Sequence, residues 1–174
     1  GINNTVVAIP GVTAKGVDLD FSWRAPVAGL YFQGGLSYAD TTYDDFTPSA
    51  SGLALLPNNR LSFAPLWSGS LAATYEHYFE NDMKAAANIN VKYSSKYNTG
   101  SDLQLEKEQA AFATIDAKAS FGPADERWQL DLWVKNLTDK DYYQVVIGGV
   151  LQTGTFHGFV GAPRTFGASI ITKF

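Results

Sequence analysis

The residues of this chain best suited to proton or metal chemistry are its two histidines, His77 and His157. His77 alternates with Tyr75 and Phe79 on an apolar run that ends at a short turn, so it reads as an interface residue. His157 sits among Thr155, Phe156, Gly158 and Phe159 in a Gly-rich loop, solvated and within reach of a substrate. Neither has a sequence-local metal-ligating partner, and the absence of cysteine excludes a thiolate zinc site. Serines are plentiful, yet no Gly-x-Ser-x-Gly elbow occurs, and Trp67-Ser68-Gly69-Ser70-Leu71 reads as strand. Asp18 and Asp20 stand at i and i+2 of an alternating run, where two carboxylates could share acid and base roles, or one could pair with Arg24. These residues assemble no catalytic constellation, metal site or cofactor site, and the chain is read as a non-enzyme.

The elements that would carry such residues are strands. Val17, Leu19, Phe21 and Trp23 alternate with Asp18, Asp20, Ser22 and Arg24. The same period recurs through Leu30 to Tyr38, Trp67 to Phe79, Ala85 to Ser94, Ala111 to Phe121 and Trp128 to Lys135, and a last strand ends at Phe174. Thr5 to Ile9 is a β-branched run that reads as the end of a strand or an outer loop. Setting Phe121 against Trp128 puts Ala119 against Leu130, Ala117 against Leu132 and Lys118 against Asp131, a register that satisfies both faces.

Composition agrees with an all-β chain. Aromatics reach 14% and glycines number 16. A net charge of -4 leaves no basic surface for a phosphate backbone, so nucleic acid is not an expected partner. No apolar run approaches the ~18 residues of a membrane helix, but a membrane barrel hides its lipid face in alternate residues and shows ordinary mean hydropathy.

The connections alternate in length. Ala25 to Ala28, Glu80 to Asp82 and Gly122 to Glu126 are short, while Thr42 to Pro65, Asn98 to Glu108 and Gln144 to Pro163 are long. Short turns on one rim and long loops on the other describe an outer-membrane barrel with its short rim periplasmic. Aromatics gather at both strand ends: Trp23, Phe79, Phe121, Trp128 and Phe174 toward the short turns, Tyr38, Tyr43, Trp67, Tyr93, Tyr97, Tyr142, Tyr143 and Phe166 toward the long loops. A soluble sandwich or lipocalin-like barrel alternates equally well, and turn asymmetry and girdles are what count against it.

The final third is the most specific stretch. Asn136-Leu137-Thr138-Asp139-Lys140-Asp141-Tyr142 precedes a Gly-rich loop, Pro163-Arg164 opens the last strand, and Phe174 ends it. This resembles the closing hairpin of TonB-dependent outer-membrane receptors, with their Asn-Leu-x-Asp-x-x-Tyr segment, Pro-Arg pair and terminal aromatic. The resemblance implies an antiparallel transmembrane β-barrel of which residues 1–174 form a single segment, the C-terminal ~7–8 strands of a barrel of about 22. It implies location in the Gram-negative outer membrane and uptake of a scarce nutrient: a ferric siderophore, cobalamin or a saccharide. Its expected partners are outer-membrane lipid, the nutrient, and the TonB complex reached through a plug domain that these residues do not contain. Substrate contact would then fall to the outer loops, at Asn58, Asn59, Arg60 and Phe63 in the first and His157 and Phe159 in the last. Arg60 suits an anionic chelate and the aromatics suit a ligand ring. Should Thr5 to Ile9 belong to a further complete strand, the alternative is a small closed barrel of about eight strands with a structural or adhesive role.

Overall fold

A computed structural model describes residues 8–149 and 151–173; Thr5 to Val7 and the terminal Phe174 lie outside them. Strands run in chain order as β1 (Val12–Arg24), β2 (Leu30–Tyr43), β3 (Trp67–Tyr78), β4 (Met83–Ser94), β5 (Tyr97–Asn98), β6 (Glu108–Gln109), β7 (Phe112–Pro123), β8 (Trp128–Lys135), β9 (Tyr143–Gly148), β10 (Phe156–Val160) and β11 (Thr165–Thr172). Seven of them form one antiparallel sheet in the order β1-β2-β3-β4-β7-β8-β11. The other four make two small ribbons, β5 with β6 and β9 with β10, inside the second and third long loops. Among the described residues β1 and β11 do not pair with each other, so the sheet is an open arc, and Thr5 to Val7, on which the small closed barrel of the alternative reading turns, lie outside them. Ala8 and Ile9 are not in a strand; β1 starts at Val12.

The ladders put the apolar alternates of all seven strands on one face. One row runs Trp23, Phe32, Ala73, Ile89, Ala117, Val134 and Phe166, and the next runs Leu30, Tyr75, Ala87, Ala119, Leu132 and Ala168. This face covers no core. Leu19, Leu132 and Ile170 remain 60%, 55% and 74% exposed, and the buried hydrophobic side chains among the described residues are Tyr43, Leu56 and Val146, none in the middle of the sheet. A soluble antiparallel sheet buries one face, whereas an apolar belt of this extent left open requires an apolar solvent.

The opposite face is polar and internally paired. Lys84 lies 3.2 Å from Glu76, Lys118 lies 3.4 Å from Asp131, and Asn88 donates to Thr74 Oγ1 at 2.7 Å. Asp18 and Asp20 share this face, with no ion pair to Arg24 among the described residues. At the short-turn rim, rings on the apolar face link into a chain: His77 meets Phe79 edge-on at 4.6 Å, Phe79 meets Phe121 at 6.5 Å, and Phe121 meets Trp128 at 6.3 Å. His77 is a member of this girdle. At the other rim Tyr38 and Trp67 pack at 4.8 Å. The two girdles bracket the belt, as side chains with one apolar and one polar end do at bilayer interfaces.

One register differs from expectation. Phe121 faces Leu130, Ala119 faces Leu132, and Ser120 faces Asp131, two residues along from the alignment that the sequence suggests. Gly122 and Pro123 continue β7, and the chain reverses over Ala124 to Arg127, with Glu126 N–H donating to Pro123 O at 2.9 Å. A slip of two residues keeps every side chain on its own face, so face matching could not detect it. Lys118 still reaches Asp131, diagonally.

Each of the three short turns contains a left-handed residue just before the next strand: Gly29 at φ 81°, Asp82 at φ 57° and Glu126 at φ 55°. Such residues let a type I turn close onto strands with the native twist. Asp82→Gly should therefore be neutral or raise stability by up to about 1 kcal/mol, while Asp82→Val should cost about 1–2 kcal/mol, in urea titrations of the lipid-folded protein. Glu126 also accepts from Lys173 Nζ at 2.7 Å, joining the end of β11 to this rim. That bond, with the charge of Lys173, holds the Glu126 carboxyl below its ordinary value. A lowered folded-state pKa contributes stability that is present above the unfolded value and lost as pH falls through the folded one. Amide exchange at Lys173, which donates to Arg127 O, should accordingly speed up as pH drops below about 4 relative to a Glu126→Gln protein, after correction for intrinsic exchange.

Candidate functional site

The long loops emerge at the rim marked by Tyr38 and Trp67, and the sequence builds them as a folded layer. The exit of β8 is organised by Asn136, whose side chain is buried. Its amide donates to Lys140 O at 3.1 Å and to Ala162 O at 3.0 Å, its carbonyl accepts from Lys140 N–H at 2.8 Å, and its own N–H donates to Asp116 Oδ1 at 2.9 Å. Asn136 and Asp139 take φ values of 50° and 51°, left-handed conformations that short polar side chains tolerate. Asp139 Oδ1 accepts from Arg164 N–H at 2.8 Å, and Arg164 Nη1 donates to Leu137 O at 3.4 Å. Gly161 N–H donates to Tyr142 O at 2.8 Å, and a Cβ at Gly161 would overlap the Tyr142 ring. The Asn-Leu-x-Asp-x-x-Tyr segment and the Pro-Arg pair are thus two halves of one knot, tying the start of the last loop to its end.

The second loop is tied internally. Lys107 is buried, its Nζ 2.6 Å from Asp102 Oδ2 and 5.9 Å from the centre of the Phe156 ring. Thr99, fully buried, gives both its N–H and its hydroxyl to Lys107 O. A lone buried ammonium is costly, and the carboxylate and ring offset that cost. The loops are also tied to one another. Phe63 N–H donates to Asn98 O at 2.9 Å, joining the first to the second. Tyr143 N–H donates to Gln109 Oε1 at 2.6 Å, and Phe112 stacks on Tyr142 at 4.3 Å, joining the second to the third. Burial, followed by the neighbouring Tyr142, raises the pKa of the Tyr97 hydroxyl in this layer.

The residues expected to meet a ligand fall into two groups. Asn58 donates to Asp45 Oδ1 at 3.0 Å, Asn59 donates to Leu55 O at 2.9 Å, and Phe63 is half exposed. Arg60 lies 3.2 Å from Asp40 and bridges to Thr42 in the backbone ladder. Asp40 and Thr42 continue the every-second-residue row of Leu36 and Tyr38, so this pair stands on the outward, apolar side of the wall. His157 and Phe159 alternate along β10 and are exposed, opposite Ile147 and Val145 of β9. Among the described residues no hydrogen bond or ion pair connects the two groups, and no cluster of three or more His, Asp or Glu residues is placed to hold a metal. The braces Thr99, Asp102, Lys107 and Gln109 were not picked out by pattern, because charged and polar residues in a Gly-containing loop read as solvated. The only pattern signal of a fold within the last loop is the alternation of Tyr143, Val145 and Ile147 before Gly148-Gly149.

The sequence matches the family described as TonB dependent receptor-like, beta-barrel, over residues 1–137. A search of curated proteins returned no match. Among solved structures, the ferric yersiniabactin uptake receptor FyuA from Yersinia pestis superimposes with a TM-score of 0.74 at 21% identity over 91% of this chain. BauA, the ferric preacinetobactin receptor from Acinetobacter baumannii, gives 0.66 at 19% identity, and the siderophore receptor PiuA from the same organism gives 0.63 at 16%, each over 91% of this chain. The chain spans 23%, 22% and 21% of the lengths of those three receptors. An open arc with a lipid-facing belt, two aromatic girdles and a knotted outer loop layer accounts for that partial coverage, and the chain belongs to the TonB-dependent receptor β-barrel family of the Gram-negative outer membrane.

Proposed function

We propose that the receptor to which this wall belongs imports a ferric siderophore, with the energy delivered by a TonB complex acting through a plug inside the barrel. The observation that supports this most is the braced outer layer on a family-matched wall: three loops cross-linked by Phe63 to Asn98 and Tyr143 to Gln109, presenting amides and rings above a wide arc. The three solved receptors of like fold are each described by a siderophore, which favours that class over cobalamin or a saccharide. Asn58, Asn59 and Phe63 on the first loop and His157 and Phe159 on the last ribbon are the proposed contacts, the rings stacking on an aromatic chelating arm. Arg60, held by Asp40 on the outward side, is not among them.

The test is uptake of radioactive iron presented as defined ferric siderophores to iron-starved cells that carry the complete receptor as their only route. Transport should require the inner-membrane energy complex, and Phe159→Ala should raise the half-saturating concentration about tenfold while leaving the amount of folded receptor unchanged. Cells that take up cobalamin or a saccharide through this receptor, and no ferric chelate, would refute the assignment.

A further inference from the structure

The first and second outer loops enclose a cavity of about 620 Å³ whose lining includes Arg60, Lys96, Leu55, Leu66, Leu105 and Trp67. Trp67 belongs to the apolar face and to the outer girdle, and the ladder places Arg60 on that same side, so the cavity opens outward above the lipid belt. We infer that this cavity seats a phosphate-bearing lipid of the outer leaflet, its phosphate against Arg60 and Lys96 and its chains descending over Leu55, Leu105 and Trp67.

Two features support that occupant. The apolar lining is exposed, with Leu105 82%, Leu55 48% and Trp67 41% accessible, and it continues the belt that already meets lipid. The charge order is that of an interface, with long basic side chains above apolar surface, where their stems cover apolar atoms and their heads reach the anionic layer. Arg60 and Lys96 are each paired, with Asp40 at 3.2 Å and Glu108 at 3.0 Å, and Lys15 stands opposite Asp40 in the β1–β2 ladder. Of the charged residues that line the cavity two are basic, Arg60 and Lys96, and one is acidic, Glu108. An ammonium or guanidinium held by a carboxylate still has free N–H donors for phosphate oxygens.

The experiment measures binding of bisphosphorylated lipid A, its dephosphorylated form and inorganic phosphate to the detergent-solubilised complete receptor, by native mass spectrometry and equilibrium titration. Arg60→Gln and Lys96→Gln should each weaken binding of the phosphorylated lipid about fivefold, and the pair about thirtyfold. Arg60→Lys should retain most of it, and the dephosphorylated lipid should bind the unaltered receptor as weakly as the phosphorylated lipid binds the double variant. Thermal unfolding of each variant checks the fold, and Lys96→Gln lies off the β2 ladder should Arg60→Gln disturb it. Undiminished binding to a folded double variant, or equal binding of the two lipids, would overturn the inference. Displacement of the lipid by inorganic phosphate at equal concentration would show a free-anion site and would overturn it too.

Discussion

Leu71→Arg should destabilise the folded receptor by about 1–3 kcal/mol, whereas Ser70→Arg, one residue away, should change stability by less than about 0.5 kcal/mol. Both side chains are exposed on β3, so burial does not distinguish them. The faces do. Leu71 stands between Gly34 and Val91 within the apolar belt, about a third of the way along the strand from the outer girdle at Trp67 to the inner one at Phe79. Ser70 stands between Gly35 and Lys92 on the polar side. A guanidinium at the depth of Leu71 loses its water without gaining a partner, and can recover it only by stretching toward an interface. Urea unfolding from lipid vesicles, read by the change in tryptophan emission, would measure the difference. Equal costs at the two positions would show that both faces meet the same medium.

Asn136→Ala should be the most damaging single change in the loop layer, at about 2–4 kcal/mol of local stability. It removes two donors and one acceptor at once, leaving Lys140 O, Ala162 O and Lys140 N–H without those partners in a buried place. It also imposes φ 50° on a residue with no polar side chain to favour it. Asn136→Gly isolates the hydrogen-bond loss, since glycine adopts that conformation without a steric penalty. Because the knot joins the exit of β8 to the entry of β11, amide exchange should accelerate together at Lys140 and Gly161 while the centres of β3 and β4 stay protected. Acceleration confined to residue 137 and its neighbours would mean that no such knot connects the two ends.

The parts of this fold that are legible in the sequence are those set by alternation. The long strands, their apolar faces and the contrast between short and long connections all follow from period two, and the structure has them. The β7–β8 register lies two residues from the one that face matching gives, because Gly122-Pro123 has the composition of a turn yet continues β7, and a shift of two residues leaves every face unchanged. The loop layer is legible only in part. Asn136, Asp139, Tyr142 and Arg164 stand out through their resemblance to a family motif, but the bonds of the knot link residues up to 27 apart, as in Arg164 to Leu137, and pattern does not report such pairings. Lys107 illustrates the limit. A charged residue between Glu106 and Glu108 reads as solvated, and only the fold around Asp102 and Phe156 makes it buried. Arg60 reads in the sequence as an outer-loop residue suited to an anionic chelate, and which side of the wall it stands on depends on a strand-like bridge to Thr42 within a long loop, which pattern does not report.

The assignment of faces bears the whole account, and spin labels placed one at a time at Leu130, Asp131 and Leu132 of the lipid-folded complete receptor test it most directly. The structure puts Leu130 and Leu132 in the apolar rows beside Phe121 and Ala119, and Asp131 on the polar face beside Ser120. Labels at residues 130 and 132 should therefore collide readily with dissolved oxygen and rarely with a water-soluble nickel chelate, and the label at 131 should show the lower ratio of oxygen to nickel collisions. Oxygen collisions that are no more frequent at 130 and 132 than at 131 would place those leucines in a packed interior and contradict the barrel.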